Sequence, residues 1–266
     1  FRNVTGVQTC ALPISLIGAV VGSFLNVVIL RLPEEGASIV FPGSHCPYCQ
    51  QPLTWWENIP LVSFLLLGGK CKTCKVPISW QYPLVEAAMA ALTALLFWRF
   101  GLSAELLVYF VFSAALLVII FIDIHHQIIP DRISLPGIAV GFAGSLFSAS
   151  VTWQQSGLGI LLGGGVLYAV AWSYYAVTKR EGMGGGDIKL LAMIGAFLGW
   201  QSLLYVVFSS SLAGSMVGIF AMIRQRKGGL TRIPFGPFLA LGALSYLLFQ
   251  EQIVRIWRLY LHFSGL

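Results

Sequence analysis

Apolar segments with almost no charge recur along this chain, and they leave few choices for its fold. Residues 15–30, 82–100, 102–122, 133–150, 158–177, 188–199, 203–223 and 235–249 each read as such a segment. A hydrocarbon core of ~30 Å takes about 20 helical residues to cross. Inside it the backbone must satisfy its own hydrogen bonds, which leaves the helix as the open solution. Composition agrees: 57% of residues are hydrophobic and only 10% charged, against roughly 25% charged in soluble domains. The expected fold class is an all-α polytopic membrane protein of about eight transmembrane helices, with a small loop domain between the first two. The net charge of +6 comes with no dense basic run or RNA-binding signature, so lipid and not nucleic acid is the expected partner.

Residues 1–14 stand apart. Val4–Ile14 resembles a translated sequencing adaptor and lacks the basic, apolar and small-residue order of a signal peptide. They are set aside as non-native, which clips the first span to residues 15–30 and discounts Cys10. Within that span, Gly18 and Gly22 form a small-xxx-small pair for close helix approach, and Asn26 needs a polar partner in lipid.

The loops 31–80, 123–132, 179–189 and 224–232 carry twelve of the sixteen basic residues. By the positive-inside rule these loops are cytoplasmic, with both termini outside. Residues 31–80 form the one long polar stretch. It contains Cys46-Pro47-Tyr48-Cys49 and Cys71-Lys72-Thr73-Cys74, two CxxC pairs with 21 residues between them. Four thiolates from two tight turns make a tetrahedral zinc site, and four closed positions make it structural rather than catalytic. Two disulfides are the competing reading, disfavoured on the reducing side of a membrane. Glu86 lies about a turn inside the second span, either as a functional acid at depth or as one that snorkels to the interface.

The chain has three aspartates, all at loop boundaries of the same face: Asp123, Asp131 and Asp187. Two carboxylates close enough to share a proton cannot both ionise, so one serves as acid while the other deprotonates water. Asp187 follows a run holding Gly182, Gly184, Gly185 and Gly186, which leaves room for an extended peptide and allows positive φ. The competing reading makes Asp187 the N-cap of a helix starting at Ile188. Asp123 ends an apolar helix where the macrodipole opposes its charge, which favours a protonated acid. Asp131 fits an N-cap of the next helix, and His125 and His126 fit a solvated loop rather than a metal site.

Phe121-Ile122-Asp123 through Ile129-Pro130-Asp131, and Gly184-Gly185-Gly186-Asp187 followed by Lys189-Leu190-Leu191, resemble the type IV prepilin peptidase family of GxGD aspartic proteases. The four cysteines, with Gly22-Ser23-Phe24-Leu25-Asn26, Glu57-Asn58-Ile59-Pro60 and Tyr82-Pro83-Leu84-Val85-Glu86, are similar to its long bacterial form. The resemblance implies an inner-membrane enzyme of bacteria with its active site at the cytoplasmic face. It would cleave the leader of prepilins or pseudopilins and then N-methylate the new terminus with S-adenosylmethionine. Carried over by motif, Asp123 and Asp187 are the catalytic dyad, supported by Gly184, Gly186, Asp131 and Lys189. Residues 31–80 are the methylation-associated domain, with Gly69, Lys70 and Glu86 as its site, and residues 81–266 the peptidase domain. The alternatives are a scaffold or cation transporter with a zinc module, and a peptidase without methylation.

Overall fold

The computed structural model describes residues 4–34, 36–179, 184–225 and 234–264, and the side chains of 12–34, 36–179, 184–223 and 234–255. Gly182 and Met183 of the glycine-rich run, and the basic residues of 226–232, lie outside these. Each of the eight apolar segments is helical. The chain runs through α1 (Val4–Arg31), a 3₁₀ turn at Trp55–Asn58, and the short α2 (Val62–Leu66). It continues through α3 (Gln81–Phe100), α4 (Ala104–His126), α5 (Asp131–Ser145) and α6 (Trp153–Thr178), then α7 (Gly185–Leu198), α8 (Trp200–Gln225) and α9 (Gly236–Ser264). Among the described residues, Leu12–Arg31 of α1 together with α3, α4, α6, α8 and the Gly236–Arg255 part of α9 are long and apolar enough to cross a membrane. The chain is therefore a multi-pass membrane protein. The remaining two segments form α5 and α7, of 15 and 14 residues, short of the length a full crossing takes.

Boundaries shift where local chemistry was overlooked. α6 begins five residues earlier than expected because Thr152 and Gln155 form a reciprocal capping box. α1 runs through residues 4–14, which the sequence set aside. α9 is broken at Phe249, whose φ of −119° and ψ of 21° are not helical, so the expected segment is its first part.

Two compact units divide the chain, Phe1–Ile122 and Asp123–Leu266. In the first, α1 packs along α3 through its small residues. A methyl group on Gly22 would lie 2.8 Å from Glu86 Cα, and one on Gly18 would strike the Thr93 hydroxyl. Asn26 finds its partner across this contact, donating to the Tyr82 carbonyl at 3.1 Å.

In the second unit α7 is the buried element. Leu190 to Leu198 are buried without a break, the mark of a helix enclosed on all sides. α5 and α6 clasp it: Gly141 faces Phe197, Gly163 would place a methyl 2.6 Å from the Leu191 carbonyl, and Gly159 meets the Gly195 backbone directly. The Ser156 hydroxyl adds a bond to the Ala196 carbonyl at 2.7 Å. At ~1.5 Å per residue α7 is about 21 Å long, so α7 delivers Asp187, in its first turn, to one end of this unit.

The Gly159–Gly195 contact has backbone on both sides and cannot relax by a rotamer change. Gly195→Val should therefore cost at least the ~1–3 kcal/mol typical of overpacking and lower the apparent Tm in detergent by several degrees. Gly165→Ala, with open space at its Cβ, should leave the Tm unchanged or slightly raised; equal effects of the two would refute the backbone contact.

Candidate active site and metal centre

α4 ends where Gln127 takes a left-handed φ of 54° while its N–H still bonds the Asp123 carbonyl at 2.9 Å. Asp123 thus lies in the last turn of α4 and is 5% exposed. Its carboxylate accepts the backbone N–H of Gly236, at the start of α9. The positive end of one helix dipole offsets the negative end of another at this acid.

Gly236 escaped the sequence reading. A methyl there would lie 2.5 Å from Asp123 Oδ2 and 3.1 Å from Ile129 Cδ1, so the missing side chain is what lets the amide reach the acid. The available signal was Pro234-Phe235-Gly236-Pro237, a glycine between prolines at a helix start.

Asp187 is not the N-cap of α7. Gly184 caps the helix with ordinary extended angles, φ −66° and ψ 132°, and Asp187 is the third helical residue, its N–H bonded to the Gly184 carbonyl at 3.2 Å. Nor does this part of the glycine run need positive φ, since none of Gly184, Gly185 and Gly186 adopts it. Gly186 instead serves close approach: a methyl on it would lie 2.9 Å from Ile129 Cβ, whereas Gly185 faces open space. Ile129 therefore touches both Gly186 and Gly236, linking the backbone that carries Asp187 to the backbone that binds Asp123. The Asp187 carboxyl is pushed up to about 6, first by burial and then by the Asp123 charge facing it. A raised carboxyl beside a second acid is the direction expected of two acids that share a proton.

Asp131 is not an N-cap either, because Pro130 occupies that position. Its two oxygens accept from Lys189 Nζ at 2.7 Å each. This exposed pair, worth ~0–1 kcal/mol, ties the first turn of α5 to the start of the second turn of α7. His125 and His126 end α4, both exposed.

In the first unit the two CxxC turns are built alike. Gln50 N–H bonds the Cys46 carbonyl and Leu53 N–H the Ser44 carbonyl; Lys75 and Ile78 repeat this with Cys71 and Gly69. Gln50 and Lys75 both take positive φ, 57° and 60°. The four sulfurs lie within 4.8 Å of one another, with Cys46–Cys74 at 3.8 Å and Cys49–Cys71 at 4.0 Å. A tetrahedral Zn–S₄ centre with ~2.3 Å bonds has S–S edges of about 3.8 Å, so the four thiols fit one zinc ion. None is in a disulfide. Backbone N–H groups of Cys74 and then Thr73 bring the Cys71 thiol down to about 6, while the Cys74 thiol, against the pull of the Val76 backbone, is pushed up to about 11 by burial and the adjoining thiols.

Gly69 and Lys70 belong to this frame: Lys70 bridges to Pro77, and Gly69, at φ 68°, packs on the Phe64 ring. Glu86 does not snorkel. It is 7% exposed, accepts the Leu61 N–H at 2.8 Å, and bonds the Ser23 hydroxyl. It borders a cavity of about 660 Å³ between the knuckles and the start of α3; Gly69 and Lys70 are not among the lining residues.

Two consequences are measurable. An acid whose folded pKa is raised from 3.8 to about 6 binds its proton more tightly folded than unfolded, so it lowers stability as pH rises through that window. Asp187→Asn should then melt a few degrees higher than the parent at pH 7.5, with the gap closing by pH 4; a constant gap would contradict the burial of the charge. Cys46→Ser should lower bound zinc from one equivalent per chain, measured by metal analysis, and retention of the full equivalent would remove the metal centre.

The chain was compared with known proteins. Residues 16–100 match the model of the bacterial peptidase A24 N-terminal domain, and residues 110–219 that of the type IV leader peptidase family. A curated prepilin leader peptidase/N-methyltransferase of Pseudomonas aeruginosa is 39% identical over 273 residues, 94% of this chain and 93% of that protein. Proteins of the same name from Stutzerimonas stutzeri and Aeromonas hydrophila are 39% and 36% identical, covering 97% and 90% of this chain and 94% and 91% of theirs. No solved structure matches at a significant level. With both domain models matched in order and identities of 36–39% along nine-tenths or more of its length, the chain belongs to the type IV leader peptidase family, in the form that carries the bacterial A24 N-terminal domain.

Proposed function

We propose that the protein is a prepilin leader peptidase and N-methyltransferase of the bacterial inner membrane, acting on prepilins or pseudopilins. The observation that carries the peptidase half is the meeting of Asp123 and Asp187. Each is fixed by a helix end, Asp123 is buried and Asp187 half-buried, and the charge of Asp123 raises the proton affinity of Asp187. In the reaction we assign to them, the ionised carboxylate takes a proton from water. The resulting hydroxide adds to the carbonyl carbon of the scissile bond, and the protonated carboxyl gives its proton to the departing amine. Ile129 and the Asp131–Lys189 pair hold the two backbones in register. The concentration of basic residues in the loops on one side supports a cytoplasmic site.

The methylation half is supported by the N-terminal domain match and by the name of the relatives. S-adenosylmethionine would supply the methyl group. Zinc at Cys46, Cys49, Cys71 and Cys74 would fold residues 31–80, which have little apolar core of their own. Gly69 and Lys70 would act by shaping that frame. Residues 81–266 would form the peptidase membrane domain and 1–14 a non-native, adaptor-derived segment. A scaffold leaves the paired acids unexplained, a cation transporter would hold them near the bilayer midplane rather than at loop boundaries, and a peptidase without methylation leaves the zinc loop without a task.

The test is mass spectrometry of a model prepilin incubated with the membrane-embedded protein and S-adenosylmethionine. Asp123→Asn and Asp187→Asn should each lower leader cleavage by on the order of 10³-fold or more, while methylation of a pre-cleaved substrate persists. Full cleavage by either variant would sink the dyad.

A further inference from the structure

We infer that α2 and Trp80 seat the cysteine loop in the lipid boundary at the start of α3, with Val62, Leu65 and Leu66 entering the zone between headgroups and acyl chains. This seat is independent of the reaction proposed above.

The level of the membrane is marked on α3 itself. Glu86, Met89 and Thr93 meet α1, while Trp80, Leu84, Ala87, Ala91, Leu95 and Trp98 are exposed. Spacings of three and four residues put these six on one helical face, which an apolar crossing helix turns to lipid. A tryptophan closes each end of the stripe, and tryptophan favours the membrane–water boundary. At ~1.5 Å per residue the two stand about 27 Å apart, close to the ~30 Å of a hydrocarbon core. Trp80 thus marks one boundary.

Two contacts hold α2 at that level. The Phe64 ring lies 5.0 Å from the Trp80 ring, and the Leu61 N–H donates to Glu86 Oε2 at 2.8 Å, in the second turn of α3. Leu61 also takes a left-handed φ of 61°, uncommon for a bulky residue. The entry to α2 is therefore set by its tethers and not by local preference.

The short helix is apolar on both sides. Ser63, Phe64 and Leu67 line the cavity toward the knuckles, whereas Leu65 and Leu66 are 76% and 74% exposed, with Val62 exposed beside them. Moving such side chains from water to an apolar medium is favourable, and the lipid boundary is adjacent. Residues 59–70 contain no acid, and their one base, the exposed Lys70, suits anionic headgroups. Lipid covers the α3 stripe and the outer side of α2 as one continuous surface. A protein partner on α2 has no such continuity to follow.

Photocrosslinking of the full-length protein in nanodiscs of phosphatidylcholine and phosphatidylglycerol tests this. Leu66→p-benzoylphenylalanine should give lipid adducts, read by mass spectrometry, within about threefold of the yield for the same probe at Leu95. The yield should be about tenfold or more above that at Gln50, in a knuckle turn. A Leu66 yield no higher than that at Gln50, or adducts mainly to a second copy of the chain, would overturn the seat. Leu65→Glu combined with Leu66→Glu gives a second reading. In water, two such exposed changes would leave stability nearly untouched. At a lipid boundary they should speed amide exchange of residues 59–69 about tenfold or more at the parent's zinc content, with exchange along the α1–α3 contact unchanged. Parent-like exchange of residues 59–69 in this variant would equally overturn the proposal.

Discussion

The backbone contact between Gly159 of α6 and Gly195 of α7 is the constraint on which the end of the second unit that holds the candidate acids depends. With no side chain on either residue, the helices meet at van der Waals distance, and hydrocarbon offers no hydrophobic force to substitute for such packing. The contact lets α7 be short and buried on every face. A short enclosed helix has its ends fixed by its neighbours, and Asp187 stands at one of them. The acid is thus held by packing some two turns away from it, before any group in the site is considered.

The same economy of side chains recurs at the acids. Gly186 and Gly236 lack a Cβ because Ile129 fills the space at the first, and Ile129 and Asp123 at the second. One isoleucine therefore couples two backbones that each control a carboxylate. Asp123, at the end of its own helix, is opposed by that helix's dipole and supported by the N–H at the start of α9. A helix terminus facing a helix terminus costs no additional charge, which suits a chain with so few ionisable residues.

The first unit solves a different problem. Of the described residues in 31–80 only Cys46 and Cys71 are buried, so the order of this stretch comes from paired knuckles with matching hydrogen bonds and from four sulfurs set for one ion. The α1–α3 pair beneath them is again joined through glycines, Gly18 and Gly22. Glu86 sits at the junction of these two constructions, close enough to α1 to bond Ser23 and to the loop to bond Leu61.

What the sequence determined by itself was set by composition and local spacing. Apolar length marked eight helical segments, and among the described residues six of them are long enough to cross a membrane, where lipid leaves the backbone no other partner. The CxxC spacing dictated a four-sulfur cluster, because each turn presents two thiols to one point. Three aspartates in so apolar a chain marked the candidate acids. The tertiary structure alone decided which groups surround them. Gly236 lies 49 positions beyond Asp187, and nothing local to it announces that its amide meets Asp123. The glycines before Asp187 read as freedom of φ, yet Gly184 to Gly186 keep ordinary angles, and Gly186 is needed for what packs against it. Asp131 read as a cap and proved to be the partner of Lys189. Periodicity and spacing report on what lies within a turn or two of a residue, whereas a contact between distant helix ends depends on packing that no single segment encodes.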